Sequence, residues 1–397
     1  MPGFELFSDE ERKEVMDVLE TGVLFRYNFD NKRNNHWKAA SFEKELCEKL
    51  DVKNCHLCSS GTAALNIALA TCGVGAGDEV IVPPFTFLAT IESVLMAGAT
   101  PVFAEINETL CLDPSDIEKK ISNKTRAVLL VHMCGSMAEI DAIHQSCQKN
   151  NVMLIEDACQ SLGATVNGKS LGSFGAMGCF SFDYVKTITC GEGGAVITND
   201  DKLYTNAQAF ADHGHDHLGA DRGQDQHPIM GYNYRISELN AAVGLAQLRK
   251  LDQILEKQRN SKSIYKQILS DCSAVTFRKV PDSQGDSSTF FSILLPDEEK
   301  TRKSLQLMNE SKIPGAIYWY DNNWHYIRQW EHLKMLKWPS RLTLSALNNP
   351  IDYKNVLVPQ SDDIMSRTLS FQIKLSDTID DVTNHANQLK QVLDKIS

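Results

Sequence analysis

Over the first 250 residues, short and almost wholly apolar runs alternate with amphipathic segments, and this alternation limits the fold more than any other feature of the chain. "DEVIVPPFTFLAT" reads as a strand and loop, "ESVLMAGA" as a helix, and "RAVLLVHMCG" as a buried strand. "EIDAIHQSCQKNN" follows with helical character, and "VMLIEDACQ" is a strand that ends in acids. Strands apolar on both faces need cover on both sides, and strand–helix–strand spacing of this kind makes them run parallel. The prediction is an α/β chain built on a mainly parallel sheet, in which ligands collect beyond the carboxyl ends of the strands. "SELNAAVGLAQLRKLDQILEKQRNSKSIYKQIL" carries a long helical pattern into a final third that mixes strand-like "STFFSILLP" with helix-like "TRKSLQLMNESK". We expect a large domain over residues 1–255, including an N-terminal segment 1–45, and a smaller α+β domain over 256–397.

Composition removes several function classes. The formal charge of −11 opposes nucleic-acid binding, which wants a basic face. No apolar run approaches the roughly 20 residues that span a bilayer, so no membrane partner is expected. "MPGFELFSDEERKEVMDVLE" is acidic and amphipathic and lacks the basic-then-apolar order of a secretory signal. Eleven cysteines suggest disulfides at first sight, yet Cys134, Cys159 and Cys179 sit in apolar segments where a free thiol behaves as a small hydrophobe. Reduced thiols and a cytoplasmic location are the expectation.

Three stretches carry chemistry. In "LCSSGTAALNIALA" an apolar strand ends at Cys58, and Ser59, Ser60, Gly61 and Thr62 open a helix whose free N–H groups suit an anion. An ordinary N-cap accounts for Ser60 or Thr62 equally well. In "LIEDACQSLGA", Asp157 closes a very apolar strand, where a carboxylate needs a cation or donor, or serves only as a cap. In "CFSFDYVKTITCGEGGAVITND", Lys186 stands alone between two strand-like runs. A lysine in apolar surroundings becomes a nucleophilic amine able to form a Schiff base. Its plain alternative is a side chain whose stem packs while its head reaches water. Together, an anion cradle, an acid at a strand end and an isolated lysine are what pyridoxal phosphate requires.

"SSGTAAL", "PPFTFLAT", "EDACQSLGA", "FSFDYVKTITCGEGGAVITND" and "GYNYRISELNAAVGLAQLRKLD" resemble, in order and spacing, the motifs of the DegT-type sugar aminotransferases. The resemblance runs from about Phe4 to the end of the chain and implies a fold-type I, pyridoxal-phosphate-dependent homodimer with shared active sites. It assigns Lys186 as the catalytic lysine that carries the cofactor, Asp157 to the pyridine nitrogen and Gln160 to the ring's phenolic oxygen. Ser60, Gly61, Thr62 and Ala63 match the phosphate loop, with Ser181 a further phosphate ligand. Phe87 matches the aromatic residue that packs on the ring, and Asn233 an asparagine that reaches the phosphate from the partner subunit. A dehydrating branch of the family has histidine in place of this lysine, so Lys186 favours amine transfer, with glutamate the implied donor. A pyridoxal-binding regulator is the non-enzyme alternative, but it needs an N-terminal DNA-binding module, and Phe4 to Ser60 is already occupied by enzyme-like sequence.

Several segments depart from the common family pattern. "TGVLFRYNFDNKRNNHWK", "ADHGHDHLGADRGQDQHP" and "AIYWYDNNWHYIRQW" resemble instead the branch that aminates C8 of 3-deoxy-manno-octulosonate (Kdo), a lipopolysaccharide sugar. The implied substrate is the 8-aldehyde of that acid and the product 8-amino-3,8-dideoxy-manno-octulosonate. A nucleotide-linked ketosugar is the alternative acceptor. A compact carboxylate calls for a bidentate arginine or a histidine cluster; Arg26, His215, His217, Arg235 and His325 are the candidates. His213, His215 and His217 beside Asp212 and Asp216 also invite a zinc reading, but their glycine and aspartate neighbours suggest a loop, and no metal is expected.

Overall fold

The computed structural model describes residues 3–219, 221–346 and 351–396. The chain first lays down β1 (Asn54–Cys58), β2 (Glu79–Val82), β3 (Thr100–Phe103), β4 (Thr125–Val131) and β5 (Met153–Asp157). A small hairpin, β6 (Thr165–Val166) and β7 (Lys169–Ser170), precedes β8 (Met177–Ser181) and β9 (Gly194–Thr198). Seven of these form one sheet in the order β1-β9-β8-β5-β4-β2-β3. Pairing is parallel from β3 across to β8, and β9 runs antiparallel to both β8 and β1. The sheet is therefore mainly parallel, as its apolar runs require: Val80 to Val82 and Ala127 to Leu130 are wholly buried. The helix Gly61–Thr71 is buried along most of its length, including Ala63, Ala64, Leu65, Ile67, Ala68 and Leu69, because it packs against β8 and β9.

A second sheet of β10 (Thr276–Phe277), β11 (Phe290–Leu294), β12 (Ala316–Ile317) and β13 (Thr368–Gln372) is antiparallel throughout, in the order β10-β11-β13-β12. Phe291, Phe371, Leu389 and Leu393 share its core with Tyr265 and Leu269.

The long helical pattern is two helices, Glu238–Arg249 and Leu251–Leu269, with Lys250 between them. Lys250 Nζ donates to the Leu6 carbonyl, the Ser8 hydroxyl and the buried Glu11 carboxylate, which ties the N-terminal segment to the break. The second helix changes cores along its length: Leu251, Ile254 and Leu255 pack with β1 and β9, whereas Tyr265 and Leu269 pack under the second sheet. Residues from 319 to 365, expected with the second domain, contribute Trp319, Tyr326, Trp330, Tyr353 and Met365 to the core of the large sheet. Among the described residues no helix is long and apolar enough to cross a membrane, and all eleven cysteines are free.

Candidate active site

Asp157 ends β5 with its carboxylate buried. Thr90 Oγ1 donates to Oδ2 at 2.9 Å and the Cys159 amide to Oδ1 at 3.2 Å. The Thr86 hydroxyl backs Thr90 at 2.7 Å. Two donors, one on each oxygen, thus fix the acid at the carboxyl end of its strand, with Thr86 bracing one of them. Sequence reasoning missed Thr86 and Thr90, although both lie in the quoted "PPFTFLAT"; the signal was hydroxyls spaced four apart at a helix start.

Glu156, one residue earlier, faces the opposite side of the sheet. It accepts the amides of Gly172, Phe174 and Gly175 and the His132 Nε2–H, which fixes the loop leading into β8.

Ser60 is the N-cap of Gly61–Thr71, its hydroxyl accepting from the Ala63 amide at 3.0 Å. The plain capping role is therefore filled, and the remaining first-turn amides still point out of the helix. At Gly61 a Cβ would lie 2.7 Å from Ser181 Cβ and 3.2 Å from Cys159 Sγ. The absent side chain lets the helix start, the end of β8 and the turn after Asp157 converge. This is the closeness a phosphate cradle needs, and the residues present fit the cofactor.

The strand-like reading of "FSFDYV" stops short: β8 ends at Ser181, and the residues from Asp183 onward form a turn. Asp183 starts it, accepting from the Val185 amide through its side chain and from the Lys186 amide through its carbonyl. Lys186 is half-buried there rather than sealed in a strand, and among the described residues its Nζ makes no hydrogen bond or ion pair. Its charge reaches both Cys159 and His325. Gln160 is buried, and its Oε1 accepts the Cys134 amide at 2.9 Å. Phe87 leaves 43% of its surface exposed, with its ring centroid 5.6 Å from that of His325. Burial, and secondarily the charge of Lys186, push His325 down to about 4, and its Nδ1 donates to Asn322. The structure therefore brings Ser60, Gly61, Ser181, Asp157, Lys186, Phe87 and His325 into one neighbourhood.

The other candidates gather around Asp212 and the end of β1, where Arg235 forms a backbone bridge with Cys58. Arg26 is enclosed, donating to the Leu57 carbonyl at 2.8 Å and to Glu43 at 2.7 Å. His215 sits between Asp225, at 3.1 Å from Nδ1, and Arg222, at 2.9 Å from Nε2. His217 stacks on Tyr27 at 4.5 Å. Arg235 and Arg222 both donate to the buried Asp212, and each guanidinium lies 5.4 Å from the Phe25 ring. Arg222 lies in the quoted loop but carries no motif that marks it. Asn233 is exposed, paired by a bridge to Asp212. His213 is exposed while His215 is buried, and among the described residues no group of three or more acids, histidines or cysteines converges as a metal site.

A mainly parallel sheet with one reversed strand, carrying a helix N-terminus, a buried acid and an unpaired lysine at its carboxyl edge, defines a pyridoxal-phosphate-dependent aminotransferase of fold type I. The chain belongs to the DegT/DnrJ/EryC1/StrS aminotransferase family, matching it over residues 7–384. It is 32% identical over 355 residues to GDP-perosamine synthase of Vibrio cholerae, covering 88% of this chain and 90% of that one. It is also 38% identical over 216 residues to a pleiotropic regulatory protein of Geobacillus stearothermophilus, 54% of this chain and 56% of that one. Among solved structures, the Helicobacter pylori aminotransferase PseC, involved in the biosynthesis of pseudoaminic acid, superposes with a TM-score of 0.81 at 26% identity, covering 98% and 97% of the two chains. The protein is a sugar aminotransferase that uses pyridoxal phosphate, an amino donor and a sugar acceptor.

Proposed function

We propose that this enzyme transfers the amino group of glutamate to the 8-aldehyde of Kdo, forming 8-amino-3,8-dideoxy-manno-octulosonate for lipopolysaccharide biosynthesis. The observation that carries the reading is the position of "YWYDNNWHY", a segment that departs from the family pattern. Its His325 lies against Phe87 and feels the charge of Lys186, so the departure falls at the site rather than on a remote surface. His325 is neutral at pH 7 and suits hydrogen bonding to sugar hydroxyls more than pairing with a carboxylate. Both Arg235 and Arg26 are ion-paired, to Asp212 and Glu43, but Arg235 keeps part of its side chain exposed whereas Arg26 is enclosed, which makes Arg235 the better candidate cation for the acid end.

Roles follow from the chemistry. The first turn of Gly61–Thr71, with Ser60 to Ala63 and Ser181, holds the phosphate. Asp157, braced by Thr90 and Cys159, holds a proton at the pyridine nitrogen. Bound pyridoxal phosphate supplies the electron sink that stabilises charge at the donor's Cα. With the cofactor bound, Lys186 would hold and move the proton of the donor's Cα, general acid–base work that contributes about 100- to 10,000-fold. Phe87 offers an open ring face on which the cofactor ring would stack, and Gln160 would donate to its phenolic oxygen. The enzyme acts as a homodimer, with the exposed Asn233 reaching the phosphate of the other site. The largely exposed Leu218, Met230 and Tyr232 nearby support a second copy as their cover.

The likeness to GDP-perosamine synthase favours a second reading, a nucleotide-linked ketosugar as acceptor. A competition assay separates the two. With glutamate as donor, the enzyme is offered the eight-carbon acid aldehyde together with GDP- and UDP-linked ketosugars. Preferential consumption of the acid aldehyde is expected; consumption of the nucleotide sugars alone overturns the proposal.

A further inference from the structure

Gln160 is held by a loop, and that loop is in turn held by the second sheet. Its partner is the amide of Cys134, a non-glycine residue in the left-handed region at φ 57°. Gly135 follows at φ 72°, where a Cβ would stand 1.9 Å from Thr289 Oγ1 and 2.6 Å from Ser287 Oγ. Two consecutive left-handed residues are not a conformation the chain holds unaided, at least not when one is cysteine. What holds them is a run of buried polar residues just before β11. Thr289 Oγ1 donates to the Cys134 carbonyl at 3.2 Å, and Ser287 Oγ donates to the Gly135 carbonyl. Arg278 adds its Nη1 to the Met133 carbonyl and its Nε to the Thr109 carbonyl, both at 2.7 Å. The run is itself anchored, because Asp286 accepts from Lys262 at 2.5 Å and from Ser288 at 3.0 Å. Asp286, Ser287, Ser288, Thr289 and Arg278 are all buried, so these hydroxyls and charges are spent on fixing backbone rather than on meeting solvent.

We infer that Thr289 and Ser287 are positioning residues for Gln160, setting from the second sheet the carbonyl and amide geometry that aims Gln160 at the cofactor's phenolic oxygen. The inference rests on the assignment of Gln160 to that oxygen, and it gives the second sheet a role in tuning the cofactor besides completing the fold. Thr289→Val keeps the side-chain shape and removes the donor, leaving the Cys134 carbonyl unpaired.

Two readouts test this. In the protein without cofactor, Thr289→Val is expected to raise hydrogen exchange at the amides of residues 133–136 while distant strands stay protected. In the holoenzyme it is expected to shift the pH titration of the cofactor's visible band in the same direction as Gln160→Ala and to lower kcat about tenfold, within the range that misplacement costs. Thr289→Ser is expected to restore both. A titration unchanged in Gln160→Ala refutes the Gln160 assignment. A shift in Gln160→Ala without one in Thr289→Val refutes the positioning role. If Thr289→Val does not fold, Ser287→Ala is read the same way on the neighbouring carbonyl, and unchanged exchange and titration there overturn the inference.

Discussion

Lys186 is a half-buried amine without an ion-pair partner among the described residues, a place where a lysine head loses hydration unless it is engaged covalently. Lys186→Ala is expected to slow amine transfer from glutamate by at least about 100-fold while the helix N-terminus still retains the cofactor. Single-turnover kinetics alongside a cofactor-binding titration check both halves. His325 gives a pH test. Its folded pKa lies near 4, below the ordinary 6.5, so the unfolded chain takes up a proton at a pH where the folded one does not. The stability this group contributes is full above about pH 6.5 and is lost as pH falls toward 4, at most about 3 kcal/mol. Denaturant unfolding of the cofactor-free protein is expected to show a shallower loss between about pH 7 and about pH 4 in His325→Gln than in the parent. Equal slopes contradict the assignment.

At the scale of elements, the site depends on how closely three chain segments approach at Gly61. Gly61→Ala is expected to destabilise the fold by about 1–3 kcal/mol and to weaken cofactor binding, measured by denaturant midpoints and by cofactor titration. An alanine enzyme with unchanged affinity means that the convergence with Ser181 has no part in the cradle. "SSGTAAL" could be read as a helix start from local chemistry alone, since capping and small residues act within one turn. Asp157 was legible because it stands at the end of a very apolar strand. The Thr90–Asp157 bond was not, since it joins residues 67 apart that only the parallel sheet brings together. The end of β8 was also misjudged. Phe182 to Val185 have strand-like composition, yet the Asp183 side chain closes a turn there, a local hydrogen bond overriding propensity.

For the whole molecule, the doubly covered parallel sheet could be read from its apolar runs, whereas the division of labour after residue 255 could not. Trp319, Tyr326 and Trp330 carry no sequence mark that says which of two cores they join, and the fold sends them to the first. The proposed shared active sites predict complementation. Lys186→Ala and Asn233→Ala chains, each impaired alone, are expected on mixing in equal amounts and exchanging subunits to recover about a quarter of parental activity, because half the dimers then hold one intact site. Absence of recovery, with exchange verified by mass spectrometry, argues for sites complete within one chain. The substrate claim is tested most directly by supplying ¹⁵N-labelled glutamate with the 8-aldehyde of Kdo and locating the label by NMR. The expected result is ¹⁵N bonded to C8 of the acid sugar, formed only when Lys186 is present. Turnover of the label into a nucleotide-linked sugar, with the acid aldehyde left unchanged, contradicts it.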